Sequence, residues 1–311
     1  MESEFLDWVR QQGQQQFAAL NAARRIVAVG IGDDAAVLNA LGDTSCVVTT
    51  DLLCEGVHFR RAQTTAELIG RKALAVNLSD LAAMAARPAA AFVSLLLPRD
   101  SAAELARGIV SGMRPLADEF DVAIAGGDTN TWGGELVISV TAIGLAVGRR
   151  PPLLRSGAKP NDVLLVTGQL GGSLLGHHLT FVPRVREALL LNERYRLHAA
   201  MDISDGLALD LRRLAAASNC GAIVVADQIP VSAAAKELET DDRPALDHAL
   251  GDGEDFELLL AAPPEVAAEL LRQQPLDVPL TAIGRCTAEP GLSLQLADGR
   301  QIPLPHLGYT H

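Results

Sequence analysis

Between Lys72 and Arg87 the only ionisable side chain is Asp80. The stretch reads Arg71-Lys-Ala-Leu-Ala-Val-Asn-Leu-Ser-Asp-Leu-Ala-Ala-Met-Ala-Ala-Arg87, with Leu74, Leu78, Leu81 and Ala85 at helical spacing. Most of the remainder is alanine, a strong helix former. A helix apolar on most faces is a buried helix. An ionised carboxylate inside one costs several kcal/mol, comparable with the stability of a whole domain, unless a cation or hydrogen bonds compensate it. Asn77 lies three residues earlier, on the same face. Two readings stand open: Asp80 caps another element or pairs with an arginine, or it is a metal ligand reached by a cleft. Other carboxylates must decide.

A chain of 311 residues suggests about two domains, each able to bury its own core. The longest apolar runs, such as residues 89–97, fall far short of the ~20 residues of a membrane helix. The acidic N-terminal residues lack a signal-peptide pattern, so a cytoplasmic protein is expected. Cys46, Cys54, Cys220 and Cys286 show no C-x-x-C spacing and read as reduced core or loop thiols. A net charge of -12 with no basic block argues against nucleic-acid binding. Phosphate chemistry on such a chain calls for divalent cations to offset like charges.

In chain order, residues 2–20 and 184–200 read as largely helical and residues 26–29 as a short strand. The Asp33-Asp34 loop follows that strand, and residues 46–51 form a strand ending on Thr49, Thr50 and Asp51. Thr64 with Glu67 matches a capping box, and Ser101 with Glu104 opens a helix to about residue 120. Residues 122–129 read as strand, then glycine turn, then Asp128. Gly148-Arg-Arg-Pro-Pro152 is the expected domain boundary. Strands and helices alternate on both sides of it, which points to two α/β or α+β domains. Leu78-Ser-Asp80 and Ile203-Ser-Asp205 hint at a duplicated architecture. Asp298-Gly299 marks a terminal hairpin.

Asp33, Asp34, Asp51, Asp80, Asp128, Asp202, Asp205, Glu254 and Asp255 stand at expected turns or strand ends beside Gly, Ser or Thr. Each alone reads as a turn residue or helix cap. Together they suit several Mg²⁺ ions held with a polyphosphate, adjacent glycines letting backbone approach phosphate oxygens. The P-loop pattern G-x-x-x-x-G-K-[ST] and the protein-kinase signatures are absent. His177-His178 reads as surface.

Seven motifs in order resemble the thiamine-monophosphate kinase family, of the superfamily that includes aminoimidazole ribonucleotide synthetase. They are Gly32-Asp-Asp-Ala-Ala-Val37, Thr49-Thr-Asp-Leu-Leu-Cys-Glu-Gly-Val-His-Phe59, Lys72 to Met84, Gly126-Gly-Asp-Thr129, Arg155-Ser-Gly-Ala-Lys-Pro160, Asp202-Ile-Ser-Asp-Gly-Leu207 and Gly253-Glu-Asp-Phe-Glu-Leu258. The resemblance implies phosphorylation of thiamine monophosphate by ATP. Asp34, Thr49, Thr50, Asp51, Asp80, Asp128, Asp202 and Asp205 would then hold several Mg²⁺ ions. Gly127, Asp128, Arg155 and Ser204 would contact ATP, while His58, Glu254 and His306 would contact the thiamine phosphate. It further implies a metal- and ATP-binding dimerisation domain over residues 1–148, whose mixed sheet closes a barrel across a homodimer. A C-terminal α/β domain would follow over 149–311, with ATP in the cleft and acidic groups of both halves meeting there.

The chain departs from the family in places. Asp252 replaces a glycine, adding a negative charge expected near the substrate. Phe256 replaces Tyr and Ala85 a Gly, the 168–202 segment is short, and the ring-side aromatic falls to His306 or Tyr309. A selenophosphate synthetase should carry an early reactive cysteine, and the hydrogenase-maturation relative a cysteine-bearing tail; both are disfavoured. A non-catalytic Mg-ATP-binding protein is the remaining alternative.

Overall fold

The computed structural model describes residues 27–29, 32–38, 45–148, 150–238 and 243–310. The helix expected over 2–20 lies outside these residues. The chain divides into two compact units. One comprises residues 1–81, 86–147 and 179–185, the other 82–85, 148–178 and 186–311. Among the described residues no helix is long and apolar enough to cross a membrane.

The first unit is a six-stranded sheet in the order β1-β2-β3-β6-β4-β5. Its strands are β1 (Val27–Val29), β2 (Ala36–Leu38), β3 (Cys46–Cys54), β4 (Ala86–Pro98), β5 (Ala123–Trp132) and β6 (Val137–Ala146). All pairs are antiparallel except β4 with β5. Helix α1 is Ala66–Ala83 and α2 is Ala102–Glu119. α1 is as apolar as its sequence requires: Ile69, Ala73, Leu74, Leu78 and Leu81 have no exposed surface. Its cap is one residue later than the capping box suggests. Thr65, not Thr64, accepts the Leu68 N–H at 3.3 Å. Ser101 does precede α2, but in a left-handed conformation with no side-chain cap bond.

α1 and α2 touch backbone to backbone through glycines. A Cβ at Gly70 would lie 1.9 Å from the Ile109 carbonyl oxygen, and one at Gly112 would lie 1.8 Å from that of Glu67. Hydrogen is therefore the largest substituent either position accepts.

The glycine turn expected at 126–127 is instead the interior of β5, a continuous strand from Ala123 to Trp132. β5 is an edge strand, and most of its residues are exposed. Just past α1, buried Ala85 has φ 50°, a left-handed conformation that strains any residue with a Cβ. Ala85→Gly should therefore raise stability by about 1 kcal/mol, read as a thermal shift of roughly 2–4 °C.

The second unit is a seven-stranded sheet in the order β13-β12-β9-β11-β7-β10-β8. These are β7 (Val163–Thr167), β8 (Ala199–Asp202), β9 (Gly221–Val225), β10 (Leu258–Ala262), β11 (Leu280–Thr287), β12 (Leu292–Gln295) and β13 (Gln301–Pro303). Only β12 with β9 is parallel. α3 (Val185–Arg194) ends well before residue 200, because Ala199 and Ala200 pair with β10 in β8. α4 (Leu207–Ala217) buries Leu207, Leu211 and Leu214 in a core with Leu164, Val166 and Met201. Among the described residues, α5 (Ala245–Gly251) and α6 (Pro264–Gln273) complete the helices of more than five residues. β12 and β13 form the expected hairpin around Asp298-Gly299. The hinted duplication is not seen: Ser79-Asp80 lies inside α1, whereas Ser204-Asp205 precedes α4.

Candidate active site

Asp34 and Asp80 meet in the first unit. Asp34 sits in the turn before β2 and is 8% exposed, and Asp80 projects from the last turn of α1. The two offer carboxylate oxygens within 4.8 Å of each other. The Thr49 hydroxyl, on the buried face of β3, donates to Asp80 Oδ2 at 2.5 Å. Asn77, fully buried one turn before Asp80, donates from Nδ2 to the Ala73 carbonyl, while its Oδ1 finds no hydrogen-bond partner among the described residues. Two carboxylates this close, one of them buried and the other half-buried, repel unless a cation joins them, and oxygen-only donors suit a hard ion. Of the two readings of Asp80, ligand and structural partner, this geometry fits the first.

Strand register sorts the other residues. Asp51 pairs with Val140, Val140 with Val93 and Val93 with Gly127, so Asp51 shares the buried face with Thr49. Thr50 belongs to the opposite face, where it bonds Thr141 and the Val140 carbonyl; its hydroxyl is not brought to Asp80. Asp128 pairs with Ser94, which pairs with Ser139 and through it with Leu52, again the opposite and exposed face. It also lies three strand steps, roughly 14 Å, from Asp51. Within one chain Asp128 and Asp51 therefore stand on opposite faces of the sheet and three strands apart, where the sequence expectation had a single meeting point. Gly127 is obligatory: at φ 153° a Cβ would lie 1.7 Å from the Val93 oxygen.

In the second unit, Asp202 is buried at the end of β8 opposite Leu258. Asp205 is joined to Arg213 at 2.5 Å, and Arg213 also bonds Asp210 at 2.7 Å. Burial pushes the Asp210 carboxyl up to about 7 against the pull of Arg213. The Asp210–Arg213 pair carries no sequence signal beyond its i, i+3 spacing. Arg155 is half-buried, and its carbonyl accepts the Ser218 hydroxyl at 2.9 Å. Glu254, at φ 54°, donates its N–H to the Ser204 carbonyl at 2.7 Å. His306 is exposed. Tyr309, also exposed, donates its N–H to the Asp205 carbonyl, which places this aromatic residue alongside the Asp205 loop.

Asp252 is not the loose charge its replacement of glycine suggests. His248 Nδ1 bonds it at 2.9 Å, Arg243 lies 3.3 Å away, and Asp252 Oδ2 accepts the Gly172 N–H at 3.1 Å. Asp255 completes this clamp on the Gly171-Gly172 backbone, with Gly171 N–H at 2.9 Å and the Ser173 hydroxyl at 2.6 Å.

Burial pushes the Asp255 carboxyl up from 3.8 to about 8, despite those two hydrogen bonds. A carboxyl raised on folding contributes stability that is complete below its unfolded pKa and declines as pH climbs through the folded one. Wild-type stability should therefore fall between about pH 4 and pH 8 relative to Asp255→Asn, which does not titrate. Thermal melts across that range check the sign.

The AIR synthase related protein N-terminal domain matches residues 32–146, and the corresponding C-terminal domain matches 155–297. A thiamine-monophosphate kinase of Rhodopirellula baltica is 43% identical over 293 residues, covering 92% of both chains. That of Bacillus subtilis is 34% identical, covering 92% of this chain and 94% of its own. Among solved structures, AaThiL complexed with AMPPCP and TMP superposes with a TM-score of 0.79 at 28% identity, covering 96% of each chain. The thiamine-monophosphate kinase of Stenotrophomonas maltophilia superposes at 0.73 with 40% identity, covering 93% of this chain and 96% of its own. By both domain matches and by identity along nearly its whole length, the chain belongs to the thiamine-monophosphate kinase family.

Proposed function

We propose that this protein transfers the γ-phosphoryl group of ATP to thiamine monophosphate, giving thiamine diphosphate and ADP. The observation that carries the reading is the close Asp34–Asp80 pair, formed by two of the family motifs in a chain aligned over nine-tenths of the length of its Rhodopirellula baltica relative. An oxygen of the substrate phosphate forms the new bond to the γ-phosphorus as the bond to the β-bridging oxygen breaks. That oxygen is anionic near neutral pH, so no strong general base is needed. The work is alignment and charge neutralisation. Asp34 and Asp80, with Asp51, hold divalent cations, magnesium being the fitting ion. Bound there, it supplies charge compensation between the two phosphates. Asp202 and Asp205 are carried over from the family pattern as further donors, as are Arg155, Gly127 and Ser204 toward ATP and Glu254 and His306 toward the substrate. Thr49 acts by fixing the Asp80 carboxylate. The Thr50 hydroxyl, bonded to Thr141 and the Val140 carbonyl on the opposite face, stands apart from this set.

A homodimer follows from the same reading. β5 offers an exposed edge ten residues long, and Leu52 and Phe92 stand 56% and 41% exposed on one sheet face. That is the face of Asp128, so Asp128 serves the site of the partner, and the two sheets close a barrel between them. Residues 1–148 are then the metal-binding and dimerisation domain and 149–311 the second domain, in a cytoplasmic enzyme. With γ-labelled ATP, label should appear in the terminal phosphate of thiamine diphosphate and never in the protein. Labelled phosphoprotein trapped during turnover would contradict direct transfer.

A further inference from the structure

The loop after β3 carries His58 and is braced on three sides. Arg61 Nε holds Glu55 at 2.5 Å, and the Leu136 N–H adds a second donor to the same carboxylate at 3.2 Å. The Cys54 N–H donates to His58 Nδ1 at 3.0 Å. From beneath, Lys72 Nζ on α1 donates to the His58 carbonyl oxygen at 2.7 Å. Lys72 has no exposed surface.

A buried ammonium is an expensive way to fill a helix position, since a methionine of similar volume packs there without the desolvation cost. One bond that this ammonium makes is to the backbone of a residue fourteen positions away, which ties α1 to the histidine loop. A ring nitrogen that accepts a hydrogen bond carries no proton. With Nδ1 occupied by the Cys54 N–H, the neutral imidazole keeps its proton on Nε2 and is a donor there alone. Lys72 and Asp80 lie eight residues apart on α1, roughly 12 Å along its axis. One rigid helix therefore sets both a cation carboxylate and the histidine loop.

We propose that Lys72 is a positioning residue that holds His58 so that Nε2–H donates to the phosphate of thiamine monophosphate. This rests on the reading of His58 as a substrate contact. The test compares His58→Ala, Lys72→Met and Lys72→Gln by steady-state kinetics in both substrates, thermal melting, and ¹⁵N NMR of the histidine ring nitrogens. His58→Ala and Lys72→Met should each raise KM for thiamine monophosphate by about tenfold or more, with KM for ATP within about twofold of wild type. Lys72→Gln, which keeps a neutral donor, should fall between. In wild type the His58 ring should show the Nε2–H tautomer, and in Lys72→Met a mixture. If His58→Ala raises KM but Lys72→Met leaves both it and the tautomer unchanged, the proposal is overturned. Should Lys72→Met fail to fold, Lys72→Gln is judged by the same readouts. Loss of thermal stability with ATP and substrate parameters affected equally marks a general structural role and also overturns it. An unchanged KM in His58→Ala instead removes the assignment of His58 as a substrate contact.

Discussion

Asp80→Asn should reduce turnover by about 10²-fold or more while leaving the fold intact. Asparagine matches aspartate in size and keeps an oxygen for the Thr49 hydroxyl, which now lies 2.5 Å from Asp80 Oδ2. What it removes is the charge. Next to Asp34 that loss relieves repulsion in the empty protein, so the melting temperature should hold or rise while activity collapses. Opposed shifts in stability and turnover separate a metal ligand from a structural carboxylate, whose loss would lower both. Near-normal turnover would show that Asp80 is not an essential ligand.

The second large effect comes from mixing two inactive variants. Asp128 lies on the exposed sheet face, and Asp51 lies on the buried one, three strands away. If Asp128 completes the site of the partner, Asp80→Asn and Asp128→Asn are each inactive as homodimers. Denatured together in equal amounts and refolded, they pair at random. Half the dimers are then mixed, and each mixed dimer holds one site with both aspartates. Activity should recover to about one quarter of wild type. Recovery no greater than the sum of the parents would place both aspartates in the site of one chain.

The parts legible in the sequence were those governed by local periodicity. The α1 helix and the lone carboxylate of its second half follow from spacing and composition, as do strand β3 and the Asp298-Gly299 hairpin. What depends on pairing register was not legible. Thr49 and Thr50 are adjacent in sequence, yet strand alternation sends their hydroxyls to opposite faces. Gly126-Gly127 resembles a turn because glycine usually marks one. Here it marks a close approach to the Val93 backbone within a continuous strand. Contacts between distant segments were equally silent: nothing near Asp252 announces His248, Arg243 and the Gly172 N–H as its partners, and nothing near Lys72 announces His58.

Cation-assisted transfer between two phosphates is tested most directly by one assay. Purified protein is given ATP and thiamine monophosphate with magnesium, with thiamine replacing its monophosphate in one control and a chelator replacing magnesium in another. Thiamine diphosphate and ADP should form in equal amounts in the complete mixture alone. Product from thiamine itself, or undiminished product with the metal chelated, would contradict the account.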